Sequence, residues 1–338
     1  MKWSDYASKL IEEAIKLDYT KEAIDEYLSY AEHLHRAKLP IIFDQIHLSF
    51  LVGYKYEYLL GVSNAPQSFY KIFYIPKKNG EVRTISEPLT SLKEIQSWIL
   101  KEILYKCKVS SNAKAYVIGK SIRDNARFHK KQNKVLTIDI EDFFPSIKIN
   151  KVIGVFRRAG YSKAVSTLLA RLCCTDNGLP QGAPTSPAIS NLVMYYLDMR
   201  IFGFCRKRAI RYTRYADDLT FSGDFDDNEL ISFTRSILER KNLFINNQKT
   251  RLRKRHQQQE VTGVVVNEKL QVPRDYRERF RQELYFIKKY GLVGHVKHIN
   301  AGDPDRYIRV LIGKANFISQ INPNDTEIKD YLKILYTL

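Results

Sequence analysis

The sequence is short of acid. Its 338 residues carry 55 Lys and Arg against 37 Asp and Glu, a formal charge of +18 at pH 7. Such an imbalance makes a polyanion the expected partner. The sequence is also poor in cysteine. Cys107, Cys173, Cys174 and Cys205 form no C-x-x-C pair and no disulfide-scaffold spacing, and His295 and His298 have no cysteine near them. This argues against a disulfide framework and against zinc, and fits reduced thiols in a cytosolic protein. No stretch approaches the roughly 20 apolar residues of a membrane span. The N-terminal Met-Lys-Trp-Ser-Asp has no apolar signal core. A soluble, cytoplasmic protein with no membrane partner is the expectation. There is no internal repeat, low-complexity tract or obvious flexible linker.

What the sequence does contain is an ordinary globular complement, 44% hydrophobic, in a chain long enough for two or three subdomains around a real core. Its 22 Tyr and 17 Phe add base-stacking candidates to the basic charge. Residues 3–38 have the periodicity of two amphipathic helices, with Thr20 as a cap for the second. Residues 43–63 are tyrosine-rich and predicted helical. Phe69 to Pro76 and Glu81 to Ser86 are strand-like around Lys77-Lys78-Asn79-Gly80, a strong hairpin turn. That hairpin presents Lys77, Lys78 and Arg83, either to phosphates or simply to water. A helix is predicted over 90–107, then a polar stretch from Ser110 to Asn133. Further helices are predicted at 150–159, 162–174, 188–207 and 227–241. The long one at 188–207 has Ile189, Leu192, Val193, Tyr196 and Leu197 as its inward residues. Strands are predicted at Phe244 to Thr250 and Val261 to Val266. From Pro273 the pattern is helical, with Tyr276, Phe280, Leu284 and Ile287 as an apolar stripe and Arg277, Arg281 and Lys288 on another face.

Arg211 to Ser222 reads as a β-hairpin with Asp217 and Asp218 at its turn. Adjacent carboxylates repel, and a hard divalent cation with oxygen ligands would relieve them. An exposed turn would hold the same pair without function. In Val135 to Ile140 the apolar residues alternate, which puts Asp139 near a strand end on the opposite face. Two acid-bearing strands can meet as neighbours in an antiparallel sheet. Three carboxylates there could hold two Mg²⁺ ions about 3.5–4 Å apart, an arrangement suited to in-line phosphoryl transfer.

The order of motifs resembles the reverse transcriptases. Tyr215-Ala216-Asp217-Asp218 is similar to their catalytic motif, and Asp139 with Phe143-Phe144 to their first acidic motif. Leu179-Pro180-Gln181-Gly182 resembles their dNTP-positioning loop. The hairpin with Arg83 resembles their fingers, and Asn246-Asn247-Gln248-Lys249-Thr250 their late palm segment. Together these cover about residues 70–266. Asn125-Ala126-Arg127-Phe128-His129 and Val261-Thr262-Gly263 match the N-A-x-x-H and V-T-G signatures of retron reverse transcriptases in particular. Other bacterial reverse transcriptases, defence-associated or group II intron-like, and a non-catalytic RNA-binding scaffold are the alternatives. The two signatures argue against the first, and intact Asp139, Asp217 and Asp218 against the second.

The resemblance implies an α+β right-hand polymerase, with an antiparallel palm sheet and helical N- and C-terminal parts. Its expected divisions are a helical extension at 1–65, fingers with part of the palm at 66–133, palm at 134–270 with finger insertions around 150–178, and a helical thumb at 271–338. It implies metal binding by Asp139, Asp217, Asp218 and the Ile140 carbonyl. It implies nucleotide contacts from Arg83, Lys77, Phe144 and Gln181, with Phe144 excluding a ribose 2′-hydroxyl and Lys249 as proton donor to pyrophosphate. Asn125, His129, Val261, Thr262, Gly263, Arg277, Arg281 and Lys288 are the implied RNA contacts; for His129 a structural role stays open. Mg²⁺, dNTPs, a structured noncoding RNA primed from a guanosine 2′-hydroxyl, a branched RNA–DNA product and an effector protein in phage defence complete the expectation.

Overall fold

The computed structural model describes residues 2–76 and 80–337. Lys77 and Lys78, expected at a hairpin tip, lie outside the described residues. In chain order the elements are α1 (Trp3–Lys16), α2 (Lys21–Arg36), α3 (Gln45–Val52), α4 (Tyr56–Asn64), β1 (Tyr70–Pro76), β2 (Val82–Pro88), α5 (Thr90–Glu102), α6 (Ile122–Phe128) and β3 (Lys134–Ile140). Then come α7 (Phe143–Ser146), α8 (Ile149–Ala159), α9 (Lys163–Cys173), α10 (Ser186–Lys207), β4 (Arg211–Tyr215), β5 (Asp218–Gly223), α11 (Asp227–Glu239) and β6 (Ile245–Lys254). Last are β7 (Glu260–Val261), β8 (Val264–Val265), α12 (Arg274–Tyr290), α13 (Leu292–His298), α14 (Pro304–Ile321) and α15 (Thr326–Leu335).

The chain weaves through two compact units. One holds residues 1–111, 141–199 and 240–243, the other 112–140, 200–239 and 244–338. In the first unit the N-terminal helices are tied to later chain by polar contacts. Tyr161 Oη donates to Pro40 O at 3.0 Å, and Arg171 donates to Ser63 O at 3.2 Å. Buried Gln96 donates to Leu172 O and to Tyr70 Oη, both at 2.8 Å. Thr20 caps α2 as expected, accepting from Ala23 N. The tyrosine-rich 43–63 segment is two helices, because Gly53 ends α3 in the left-handed region. The inward face of α10 also differs from expectation. Tyr196 is 58% exposed, under the guanidinium of Arg158, whereas Asn191, Met194 and Asp198 are buried. Hydrophobicity alone could not choose between a tyrosine and an asparagine for that face.

The second unit is built on an antiparallel sheet in the order β4-β5-β3-β6. Leu136 faces Phe221 and Ile138 faces Leu219 across β3 and β5, all fully buried. A one-residue slip would move this row to the opposite face, so the apolar pattern fixes the register. A second core gathers Ala126 of α6, Val135 of β3, Val261 and Val264 of the β7–β8 hairpin, and Phe280, Leu284, Leu311 and Ile328 of the C-terminal helices. The predicted stripe of α12 is therefore core, with Tyr276 packed at its margin.

Candidate active site

The three acids lie at one end of the sheet in the second unit. Asp139 on β3 and Asp218 on β5 are register partners. Asp217 lies in the two-residue turn between β4 and β5, and its carbonyl accepts from Ile140 N at 3.0 Å. The turn holds Ala216 at φ +59, a backbone conformation costing an L residue about 1–2 kcal/mol. Strain of this kind is kept where surrounding structure enforces it.

The neighbouring strand supplies a cation. Between Thr137 and Asp139, two residues apart on β3, the paired positions on β6 move five residues, from Arg251 to Asn246. The excess chain bulges and aims Lys249 at the acids. Lys249 Nζ donates to Asp139 Oδ1 at 3.0 Å. Asn246 pins the bulge, accepting from Lys249 N on its side chain and from Thr250 Oγ1 on its carbonyl. Arg235 holds Asn247 from α11. Bulges commonly re-aim a side chain in this way. Strand periodicity without the pairing register gave no sign of it.

Burial, then the charges of Asp217 and Asp139, push the Asp218 carboxyl up to about 7, against the pull of Lys249. The ion pair with Asp139 raises Lys249 above the usual lysine range. The cluster thus carries more negative charge than Lys249 neutralises. Carboxylate and carbonyl oxygens suit a hard divalent cation. Among the described residues no three Asp, Glu, His or Cys side chains are already gathered as a cation cage. The donor chemistry fits such an ion, with Asp139 meanwhile engaged by Lys249.

Arg83, Phe144 and Gln181 belong to the first unit. Arg83 is exposed on β2, opposite Ile75. Phe144 is half-buried beside buried Phe143. The Pro-Gln-Gly loop lies directly on β2: Ser86 N donates to Gln181 O at 2.7 Å. A Cβ on Gly182, at φ +122, would stand 2.8 Å from Ser86 O, so this position requires glycine. The loop and the β1–β2 hairpin are thereby one assembly.

The two short signatures meet in one buried network. His129 Nδ1 is 2.7 Å from Ser222 Oγ, and its Nε2 is 2.7 Å from Thr213 Oγ1. Thr213 donates its hydroxyl proton to Asn125 Oδ1 at 2.5 Å, and Asn125 Nδ2 donates to Thr262 Oγ1 at 2.9 Å. With Thr213's only proton so used, Nε2–H of His129 donates to Thr213, and Nδ1 accepts from Ser222. Burial, with Arg211 and Lys114 nearby, pushes His129 down to about 3, so the ring is neutral. Asn125, His129 and Val261 are 0% exposed and offer no surface to a partner; of the implied RNA contacts here, only Thr262 and Gly263 reach solvent. Thr262 and Gly263 form the β7–β8 turn, both at positive φ. A Cβ on Gly263 would meet nothing within 4 Å, so its glycine serves the turn and not a close approach. Thr213 and Ser222 escaped notice in the sequence. Their signal is a small hydroxyl residue on strands otherwise buried.

On α12, Arg277 is bound by Asp325 and Glu327, and Arg281 by Glu327. Lys288 lies 5.4 Å from the centre of the Tyr331 ring. The basic face is real, but its two arginines are partly neutralised by acids about 50 residues along the chain.

Residues 75–266 match the family model described as reverse transcriptase (RNA-dependent DNA polymerase). The chain is 40% identical over 235 residues to the retron Ec86 reverse transcriptase of Escherichia coli, covering 68% of this chain and 73% of that one. It is 34% identical over 280 residues to the retron Mx65 reverse transcriptase of Myxococcus xanthus, covering 76% and 62%. The chain thus spans somewhat under two thirds of the longer relative. An apo telomerase from Candida tropicalis aligns with a TM-score of 0.45 at 13% identity over 62% of this chain and 56% of the other.

Proposed function

The chain belongs to the retron reverse transcriptases, a family of RNA-directed DNA polymerases, and from that premise we propose that it copies a structured noncoding RNA into DNA from dNTPs. The observation that carries this reading is the pairing of Asp139 with Asp218 across β3 and β5, with Asp217 in the adjoining turn. Asp139, Asp217, Asp218 and the Ile140 carbonyl would hold magnesium, two ions in this reading, whose chemistry is to acidify the attacking hydroxyl and stabilise the leaving pyrophosphate. The first attack comes from a guanosine 2′-hydroxyl of the RNA on the α-phosphorus of a dNTP. The new O–P bond forms as the bond to pyrophosphate breaks, and later additions use the 3′-hydroxyl. The product is branched RNA–DNA.

Arg83 would hold the triphosphate, and the Gln181 loop would position the nucleotide against the hairpin it packs on. Phe144 would bar a ribose 2′-hydroxyl. Lys249 would give its proton to pyrophosphate. In this reading β1–β2 belongs to the fingers, the four-stranded sheet to the palm and α12–α15 to the thumb. There Arg277, Arg281 and Lys288 would face a duplex, while Asn125, His129 and the Val261–Gly263 turn would support the RNA-facing surface. An effector protein and a role in phage defence complete the proposal.

The test is extension of a primed RNA template. Asp217→Asn should lower the rate by at least about a thousandfold while melting temperature and RNA binding stay near wild type. Extension at the wild-type rate by this variant would refute the site.

A further inference from the structure

The N-A-x-x-H segment has two faces. Asn125, Ala126 and His129 are fully buried, whereas Arg127 and Phe128 between them are exposed. Those two residues line an open cavity of about 420 Å³ with Lys114, Lys120, Asp124 and Arg211. Four cations stand there against one carboxylate, and that carboxylate is engaged. Asp124 accepts from Ser121 N and Oγ and, at 3.3 Å, from Arg127. Arg211 donates to Phe128 O at 2.9 Å, and its guanidinium carbon is 5.9 Å from the Phe128 ring centre. Phe128 is 45% exposed. The ring of His129 meets its ring edge-on at 5.6 Å between centroids. Lys114 is held below the usual lysine range by burial, then by Lys120. Cations crowded into a concave site repel one another, and a bound anion removes that cost.

We infer that this cavity is a binding site for a nucleotide unit of single-stranded nucleic acid, its phosphates on Lys120, Arg127, Lys114 and Arg211 and its base stacked on Phe128. A phosphate suits the basic rim, and a flat base suits an exposed ring beside a guanidinium. The buried network of Asn125 and His129 is the frame that sets α6, and the residues between them are the contacts. Because the inference rests on reading this chain as a polymerase that holds an RNA, wild-type primer extension is measured on the same preparation. Absence of extension would refute that reading and leave the binding data to decide the cavity.

The experiment uses the full chain, freed of nucleic acid. Its probes are a fluorescein-labelled single-stranded RNA of about 15 nucleotides, the DNA of the same sequence and the corresponding RNA duplex. Anisotropy is followed from about 50 to about 300 mM KCl. The double variant Lys120→Gln, Arg127→Gln should bind single strands about tenfold more weakly, with a log–log salt slope shallower by about 1.4, since each single-strand phosphate contact contributes about 0.7. Phe128→Leu should weaken single strands about tenfold without changing the slope, leave the duplex unaffected, and be rescued by Phe128→Tyr. Equal losses for RNA and DNA assign the site to any single strand; a loss for RNA alone assigns it to the template. Wild-type affinity and slope in the charge variant would overturn the site. Equal loss of duplex and single strand in Phe128→Leu would overturn the stacking. Because all three positions are exposed, unchanged melting temperatures are expected.

Discussion

Lys249 Nζ stands 3.0 Å from Asp139 Oδ1, joined by a bulge in β6 and not by the strand register. The pair gives the acid cluster a resident positive charge. A divalent cation that recruits Asp139 must compete with it.

Lys249→Met keeps the aliphatic stem and removes the competitor. Exposed or half-exposed ion pairs are worth up to about 1 kcal/mol, so the Mg²⁺ concentration that half-maximally raises the melting temperature should fall about threefold. Extension at saturating Mg²⁺ should instead slow about a hundredfold, the scale of a lost general acid. Thermal melts across a Mg²⁺ titration and single-turnover extension read the two effects separately. A lysine that is merely solvated would change neither.

Asp218 sets a pH dependence. Its carboxyl is raised from 3.8 to about 7 by burial and by its acidic neighbours. A group with a raised folded pKa stabilises fully below its unfolded value and loses that contribution as pH rises through the folded one. The metal-free protein should therefore lose about 4 kcal/mol from this group between pH 4 and 7. Magnesium should restore stability above pH 7 and release about one proton per chain near pH 6. Denaturant titrations of wild type and Asp218→Asn, with and without Mg²⁺, check this. The Asn variant should lack both the slope and the proton release.

His129 works in the opposite direction. Its pKa is depressed from 6.5 to about 3, so its contribution is complete above pH 6.5 and is lost as pH falls toward 3. His129→Gln cannot bridge Ser222 and Thr213 with the same geometry, and stranded hydroxyls cost about 1–3 kcal/mol each. At pH 7.5 the variant should be about 2–4 kcal/mol less stable. The difference should shrink as acid removes the wild type's advantage. A gap that stays constant down to pH 4 would show that the ring's protonation does not limit the network.

Local pattern carried much of this molecule. The alternation in Val135 to Ile140 placed Asp139, and the Tyr-Ala-Asp-Asp hairpin formed where its β-branched and aromatic flanks required. The start of α2 followed Thr20, whereas the break that Gly53 makes between α3 and α4 was not anticipated. Contacts between distant segments were not legible. Nothing near Lys249 announces that β6 bulges, because a bulge exists only relative to its partner strand. Nothing near Asn125 says that Thr213 and Thr262 consume its hydrogen bonds. The burial of Asn191 against the exposure of Tyr196 likewise depends on what α10 packs on.

The C-terminal helices offer the last prediction, where stability and nucleic-acid binding should move in opposite directions. Glu327 accepts from both Arg277 and Arg281, and Arg281 first among several donors brings its carboxyl down to about 2. A depressed carboxyl stabilises above its unfolded pKa and loses that contribution as pH falls from about 4.5 to 2. The carboxylate is partly solvated, so screening reduces its worth, and Glu327→Gln should cost only about 1 kcal/mol at neutral pH. The same change leaves two guanidiniums less neutralised on α12. If that face meets a nucleic-acid duplex, the variant should bind a primed template more tightly at low salt, with a log–log salt slope steeper by up to about 0.9. Asp325→Asn separates the two effects. Asp325 is buried, caps α15 through Ile328 N and bonds Arg277 in two places, so its loss should cost about 3 kcal/mol and loosen the helix. Lower stability with unchanged binding in Glu327→Gln would make the arginines structural braces and remove them from the nucleic-acid surface.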